Sequence, residues 1–263
     1  RHAFIPNVTG LGTAFLSGGA MRILVEILYR LAFAKLPVVF FQNGDDLALF
    51  KDRDLVRDEQ AHMLPGSGID LHRFAAEPYP TDTDPTVFLM IARLLRDKGV
   101  VEFADAARMV RRQHPDAEFK LLGAADNHNR SAIGRDVIDK WVAEGVLEYL
   151  GETPDVRPNI ADAHCVVLPS YREGAPRTLI EASALARPTI TTNAPGCRAV
   201  VTHAETGFLC EVKSADSLAE AMSTFLEMPM GQRAEMGKRA RQKMVDEYSD
   251  QIVIARYREQ IAN

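Results

Sequence analysis

Residues 165–193, CVVLPSYREGAPRTLIEASALARPTITTN, contain two apolar runs on either side of a segment with helical apolar spacing. The pattern predicts a buried strand at residues 165–169, a helix at 176–186 and a second strand at 188–193. We expect Pro176 to be the first helical residue, because its ring presets φ and the amide it lacks would have no helical partner. A strand, a helix and a strand in succession favour parallel pairing.

The same alternation extends upstream to residue 86. Strands that alternate with helices predict an α/β fold with a doubly wound parallel sheet, whose ligands bind beyond the carboxyl ends of the strands. The predicted strands are residues 86–92, 118–123 and 146–151, and the helices between them are 100–114, 131–144 and 155–163. Downstream, further helices are predicted at residues 214–228, 232–248 and 252–261.

Residues 1–76 predict part of a second α/β lobe. Its predicted elements are strands at residues 3–8, 38–41 and 61–65, and a helix at 20–34. A sheet of only three strands would have unpaired edges and exposed apolar faces. We therefore expect an N-terminal part of this lobe to be absent from the chain. Residues 77–85, rich in Pro and Asp, predict a linker to a lobe of residues 86–248. Residues 249–263 are expected to form a helix that crosses back to the first lobe.

Composition and charge argue against several classes of protein. A formal net charge of −5 without a long basic run argues against nucleic acid as a partner. The three cysteines lack CxxC spacing and the seven histidines are scattered, which predicts a reducing compartment and no metal site. Asp82–Thr83–Asp84 spells a DxD pattern that can hold a divalent cation, but its Pro-flanked setting favours a solvated linker. No apolar run has the length of a transmembrane helix, and no signal peptide is evident.

Two glutamates flank the junction between a loop and the predicted helix at residues 176–186. Glu173 lies in the loop and Glu181 about a turn and a half into the helix. Gly174 lets the backbone approach a ligand closely, and the free amides at the helix start favour a phosphate. Carboxylates beside a phosphate are best explained as hydrogen-bond acceptors for hydroxyl groups. We expect Glu173 to accept from the hydroxyl groups of a sugar and Glu181 from those of a ribose. Taken alone, such a pair is more typical of an ordinary surface helix than of a ligand site.

Basic residues follow the strand at residues 86–92. Arg93 and Lys98 precede Gly99 and the next helix, an arrangement suited to binding a diphosphate. Parallel topology should bring this loop and the loop that carries Glu173 to the same edge of the sheet. Without Glu173, an equally good explanation is that Arg93 and Lys98 are solvated charges on a loop.

Together, IARLLRDKG (residues 91–99) and PSYREGAPRTLIEASALARPTITTNAPGCRAVV (169–201) resemble glycosyltransferase family 4. The resemblance implies a GT-B fold of two Rossmann-like lobes, retention of anomeric configuration and no metal or other cofactor. It implies that Glu173 and Glu181 form the E-x7-E motif and that Arg93 and Lys98 neutralise the leaving diphosphate. It further implies that the backbone of Gly174, Ala175, Thr178 and Leu179 contacts the donor, and that Gly123 lies near the nucleotide base.

The first lobe resembles bacterial members of that family that act on lipid-linked glycans or surface polysaccharides. The resemblance rests on NVTGLG (residues 7–12), FQNGDD (41–46) and LPGSGID (64–70). It implies a UDP-sugar donor, a glycan or polyprenyl-linked acceptor, and acceptor-side positions at Gly10, Gly12, Asn43 and Gly68. Many relatives carry a histidine near the reacting sugar, whereas residues 9–12 contain none.

These features leave alternatives for location and activity. A cytoplasmic protein, peripheral at the inner face of the membrane, is expected. The apolar face of residues 21–36 suits either a bilayer surface or packing beneath the rest of its own sheet, and we favour the packing. A truncated, non-catalytic nucleotide-sugar-binding protein is the main alternative function, and an epimerase or phosphorylase on the same fold is another. A dinucleotide oxidoreductase would need a GxGxxG motif after the first strand of its sheet, where residues 92–99 have none.

Overall fold

The computed structural model describes residues 4–11, 19–81, 85–125, 129 and 131–262. They form two α/β lobes, one around a three-stranded sheet and the other around a six-stranded sheet. Both sheets are parallel throughout, as the alternation of strands and helices predicts. The prediction of an α/β class with two lobes is therefore confirmed.

The smaller sheet has the order β1–β2–β3. Its elements are β1 (Asn7–Val8), α1 (Gly19–Phe33), β2 (Val39–Phe41), α2 (Gly44–Asp52) and β3 (Ala61–Met63). Phe50 on α2 packs edge-on against Phe41 at a ring-centroid distance of 5.0 Å, and Phe33 on α1 joins the same buried cluster. Most of α1 lies outside that cluster, and its apolar side chains Ile23, Leu24 and Leu31 are exposed.

The larger sheet has the order β6–β5–β4–β7–β8–β9. Its strands are β4 (Val87–Ile91), β5 (Glu118–Leu122), β6 (Glu148–Tyr149), β7 (Cys165–Leu168), β8 (Thr189–Thr192) and β9 (Gly207–Cys210). The chain adds β5 and β6 on one side of β4 and then returns to add β7, β8 and β9 on the other side. The strand order therefore reverses between β4 and β7, where doubly wound sheets form a ligand crevice.

Helices cover both faces of the larger sheet. They are α3 (Val100–Gln113), α4 (Arg135–Ala143), α5 (Arg157–Ala161), α6 (Arg177–Ala184), α7 (Cys197–Val200), α8 (Ala215–Glu227) and α9 (Met230–Lys243). Alternate residues of β4 enter opposite cores: Phe88 stacks on Phe119 at 5.5 Å in one core, and Leu89 lies in the other. Burial on both faces explains why β4 and β7 are apolar runs without alternating polar residues.

Two segments connect the lobes. Residues 69–80 lead into the larger lobe, where the fully buried Arg187 donates to the carbonyls of Glu77 and Pro78 at 3.0 and 2.6 Å. A π-helical turn (Met244–Tyr248) leads back to α10 (Asp250–Ala262), whose Val253 packs with Phe40 of the smaller lobe. The DxD triplet at residues 82–84 lies outside the described residues.

The observed elements differ from the predicted ones in several places. Helix α6 begins at Arg177, so the prediction that Pro176 is the first helical residue was wrong by one position, and Pro176 is the N-cap with φ −70°. Strand β9 and helices α2 and α7 had no predicted counterparts. In the helix predicted for residues 131–144, only Arg135–Ala143 is helical.

Candidate active site

The candidate site lies at the reversal point of the larger sheet. Strands β4 and β7 are hydrogen-bonded neighbours, with Met90 in register with Val167. The loop after β4 carries Arg93 and Lys98, and the loop after β7 is residues 170–175, here called the Glu173 loop. Because parallel strands end at the same edge, the two loops face each other.

A crevice of about 360 Å³ opens between these loops and the first lobe. Arg93, Lys98 and Glu173 line it, and they also line an adjoining cavity of about 170 Å³. The larger cavity is completed by Thr9, Gly10, Leu11, Leu95, Asp97, Asn129, Ser131, Arg172 and Gly174. The smaller is completed by Ile91, Ala92, Leu168, Pro176, Arg177 and Thr178. Because Arg93, Lys98 and Glu173 line both cavities, we treat the two as one crevice. Arg93 and Lys98 give it a positively charged wall.

Lys98 is placed by a tight turn. It ends a single 3₁₀ turn (Arg96–Lys98), and Gly99 then adopts φ +76° before α3 begins. A Cβ at position 99 would lie 2.2 Å from the carbonyl oxygen of Pro169, at the end of β7. Glycine is therefore required both for the left-handed conformation and for the close approach of the two strand ends.

Lys98 and Glu173 meet inside the crevice. The Lys98 Nζ donates to Glu173 Oε1 in a short ion pair, and both side chains are mostly buried, with 21% and 14% exposed. The Glu173 amide donates to the carbonyl of Pro195 at 3.1 Å, which ties the loop to the turn after β8. In this arrangement an ammonium group and a carboxylate neutralise each other within the crevice.

The start of α6 forms the floor of the adjoining cavity. The Leu179 and Ile180 amides donate to the Pro176 carbonyl at 3.1 and 3.2 Å. The first amides of a helix have no partner within it, so those of Arg177 and Thr178 are the better placed for an anion. The Thr178 hydroxyl donates to the carbonyl of Ile91 at 3.0 Å, which holds α6 against the end of β4.

Glu181 lies on α6 beside Arg177, with 3.1 Å between its Oε1 and an Arg177 guanidinium nitrogen. Its side chain is largely buried, and burial raises the pKa of its carboxyl above the ordinary value while Arg177 opposes that shift. A desolvated carboxylate needs hydrogen-bond donors, and Arg177 supplies two N–H groups to Glu181 Oε1, at 3.1 and 3.2 Å.

The other predicted site residues occupy different places. Gly123 follows β5, and a Cβ there would lie 1.7 Å from the Ala92 carbonyl oxygen. Gly68 packs on Asp250 at the start of α10, away from the crevice. Gly12 lies outside the described residues. Of the described residues predicted for the site, those that do not line the crevice are Ala175, Leu179, Glu181, Gly123, Asn43 and Gly68.

Sequence reasoning missed the contribution of Arg172. Its guanidinium forms a short ion pair with Asp46 of the first lobe and also lines the crevice. Its position directly before Glu173 was the available signal. Asn129 and Ser131 were missed because nothing in their local sequence distinguishes them from an ordinary loop.

The part of the chain that the structure describes contains neither a metal-binding cluster nor a membrane-spanning helix. Within it, no cluster of three or more His, Cys, Asp or Glu side chains is arranged to hold a metal ion. Within the same residues, no helix combines the length and apolar character needed to cross a membrane.

Comparison with known families shows one clear match. Residues 73–243 match the family described as Glycosyl transferases group 1. The match covers the whole of the larger sheet, its crevice loops and the helices that pack on it.

Relatives and solved structures extend the similarity into the first lobe. An N,N'-diacetylbacillosaminyl-diphospho-undecaprenol alpha-1,3-N-acetylgalactosaminyltransferase of Campylobacter jejuni is 28% identical over 95% of this chain and 68% of its own length. A UDP-Gal:alpha-D-GlcNAc-diphosphoundecaprenol alpha-1,3-galactosyltransferase of Escherichia coli is 29% identical over 84% of this chain, which spans 60% of that enzyme. The crystal structure of Anabaena HepE in complex with UDP superposes with a TM-score of 0.84 and 18% identity, covering 98% of this chain and 71% of HepE.

Proposed function

The chain belongs to the group 1 glycosyl transferases, and from that premise we propose that it transfers a sugar from a nucleoside diphosphate sugar to a lipid-linked glycan. The observation that carries the proposal is the convergence of Arg93, Lys98 and Glu173 in one crevice at the reversal point of the sheet. Two cations and one carboxylate at such a place suit a diphosphate joined to a sugar.

Lys98 has two roles in the proposed reaction. Without donor, its ammonium group neutralises Glu173 across the crevice. A bound diphosphate would compete for that ammonium group and for the Arg93 guanidinium. Both cations would then stabilise the charge that develops on the diphosphate as the sugar–phosphate bond breaks.

Glu173 would then be available to the sugar. A carboxylate accepts hydrogen bonds from hydroxyl groups, so Glu173 would orient the hexose or N-acetylhexosamine while Glu181 accepts from the ribose. The acceptor hydroxyl would attack from the face on which the diphosphate departs and pass its proton to the departing diphosphate oxygen, which retains the anomeric configuration. No metal is part of this scheme, since Arg93, Lys98 and the Arg177 and Thr178 amides supply the positive charge and the donors.

The choice of donor and acceptor is supported by the relatives. The two enzymes from Campylobacter and Escherichia coli are named for undecaprenol-diphosphate-linked acceptors, and the second is named for UDP-Gal. We therefore propose a UDP-sugar donor, a polyprenyl-linked glycan acceptor and a cytoplasmic site of action at the inner face of the membrane. Flotation with vesicles of anionic lipid would test the membrane contact, and a protein that does not float with them would refute it.

A nucleotide screen tests the proposed function directly. Thermal shift and hydrolysis are measured with UDP-, GDP- and ADP-sugars, on the wild type and on Lys98→Gln. We expect UDP-sugars to raise the melting temperature and to be hydrolysed slowly, with Lys98→Gln impaired in hydrolysis. Stabilisation by UDP-sugars without turnover, even with acceptor present, would favour the non-catalytic binding protein instead. No stabilisation by any sugar nucleotide would refute both.

A further inference from the structure

The Glu173 loop is in contact with both lobes. A Cβ on Gly174 would lie 1.8 Å from the carbonyl oxygen of Thr9, in the first lobe. On the opposite side, a Cβ on Gly196 would lie 2.3 Å from the carbonyl oxygen of Glu173. The loop is therefore held between the first lobe and the turn after β8, and no side chain larger than hydrogen fits at position 174.

A capping turn of the first lobe, residues 43–46, binds this loop through its backbone. Asn43 is fully buried and caps α2, because its Oδ1 accepts from the Asp46 amide at 2.8 Å. Its Nδ2 donates to the Gly174 carbonyl at 2.9 Å and to Asp46 Oδ2 at 3.0 Å. One side chain thus ends a helix in the first lobe and fixes the backbone beside Glu173.

The same turn binds the loop through charge. The Asp46 carboxylate is completely buried and pairs with Arg172, whose side chain is 20% exposed. Burying a carboxylate is costly unless a cation and hydrogen-bond donors compensate it. Asp46 obtains its cation from the other lobe, so the charge is compensated only when the lobes are together. A more exposed pair, Asp45 with Arg198 at 3.2 Å, lies beside it.

We propose that the capping turn positions Glu173, so that closure of the lobes and assembly of the crevice are one event. Asn43 and Asp46 are positioning residues, because they act through Gly174 and Arg172, the two neighbours of Glu173 in sequence. This inference rests on the proposed glycosyl transfer and adds residues that act on the same site. When the lobes separate, Asp46 becomes hydrated, the Glu173 loop loses two anchors, and Glu173 loses its fixed position relative to Lys98.

A double-mutant cycle between the lobes tests the proposal. The variants are Asp46→Asn, Arg172→Gln and the double variant, with Asp52→Asn as control, because Asp52 is an exposed aspartate on the same helix. Since a misplaced reacting group loses about tenfold to a hundredfold in rate, we expect a kcat loss of that order for Asp46→Asn. The KM for the UDP-sugar should stay within about twofold, because the diphosphate ligands are untouched. The double variant should be no slower than the slower single variant.

Amide hydrogen exchange gives a measurement that needs no substrate. Arg172→Gln should speed exchange at residues 43–47 of the first lobe, and Asp46→Asn should speed exchange at residues 173–175 of the other. Arg177→Gln, which removes an exposed arginine from α6, should leave residues 43–47 unchanged. Because Arg172 is partly exposed, Arg172→Gln should still fold. It therefore provides the test if Asp46→Asn does not fold.

The outcomes separate the two proposals. A wild type that neither binds nor turns over UDP-sugars would refute the proposed function, whatever the variants do. A wild type that is active, with Asp46→Asn as active as Asp52→Asn and exchange unchanged across the lobes, would refute the positioning role alone. Losses that multiply in the double variant would also refute it, because they would show that Arg172 acts on the donor independently of Asp46.

Discussion

Lys98 and Glu173 form an ion pair across the ends of adjacent strands, although 75 residues separate them in the chain. The pair exists because β4 and β7 are neighbours at the point where the strand order reverses. It neutralises two partly buried charges and places the ammonium group in the crevice that we propose binds the diphosphate.

Removing the ammonium group should affect the chemical step more than donor binding. Charge on the leaving diphosphate increases in the transition state, so Lys98→Gln should lower kcat on the order of a hundredfold while KM changes little. Steady-state kinetics with a UDP-sugar measures both. Lys140→Gln, which removes an exposed lysine on α4, is the matched control. A variant with unchanged kcat and a raised KM would assign Lys98 to ground-state binding only.

The raised pKa of Glu181 should make stability depend on pH. Burial raises the pKa of this carboxyl in the folded protein, so the folded state holds a proton over a range where the unfolded state has lost it. Stability contributed by the neutral form should therefore fall as pH rises from the ordinary carboxyl pKa through the raised one. Glu181→Gln should show a shallower decline of melting temperature over that range. Glu220→Gln on the exposed face of α8 should follow the wild type, and parallel curves for all three proteins would contradict the prediction.

The larger lobe could be predicted from sequence because its strands are buried on both faces. Uninterrupted apolar runs such as β4 and β7 separate cleanly from the amphipathic helices between them. Strand β9 was missed because it begins with Gly207 and is defined by its pairing with β8. Helix α2 was missed although Asn43 and the two aspartates of its first turn are a recognisable N-terminal signal.

The candidate site was predictable only where local sequence and strand order decide it. Arg93, Lys98 and Glu173 each follow a strong strand, so parallel topology alone brings them to one edge. The contacts of Asn43 and Asp46 with the Glu173 loop depend on how two lobes dock, which no local pattern encodes.

Arg187 should be essential for the junction between the lobes. It is fully buried, and its guanidinium donates to the carbonyls of Glu77, Pro78, Ala161 and Leu185 at 2.6–3.0 Å. Arg187→Met would remove the guanidinium donor from four carbonyls, at a cost of at least about 3 kcal/mol in the free energy of unfolding. Urea denaturation measures that loss. Arg239→Met, which removes an exposed guanidinium donating to Glu205 at 2.8 Å, should cost far less. Equal losses in the two variants would show that the four buried contacts are replaceable.

Gly99→Ala should destabilise the protein and displace Lys98 together. At φ +76°, any side chain is strained by about 1 kcal/mol, and its Cβ would also lie 2.2 Å from the Pro169 carbonyl oxygen. The loop after β4 would have to move away from β7, which would separate Lys98 from Glu173. Gly19→Ala is a close control, because Gly19 has the same φ of +76° and no atom within 4 Å of an added Cβ. The melting temperature and kcat of Gly99→Ala should both fall well below those of Gly19→Ala. If the two variants lose equal stability, backbone strain alone accounts for Gly99, and the close approach of the strand ends contributes nothing.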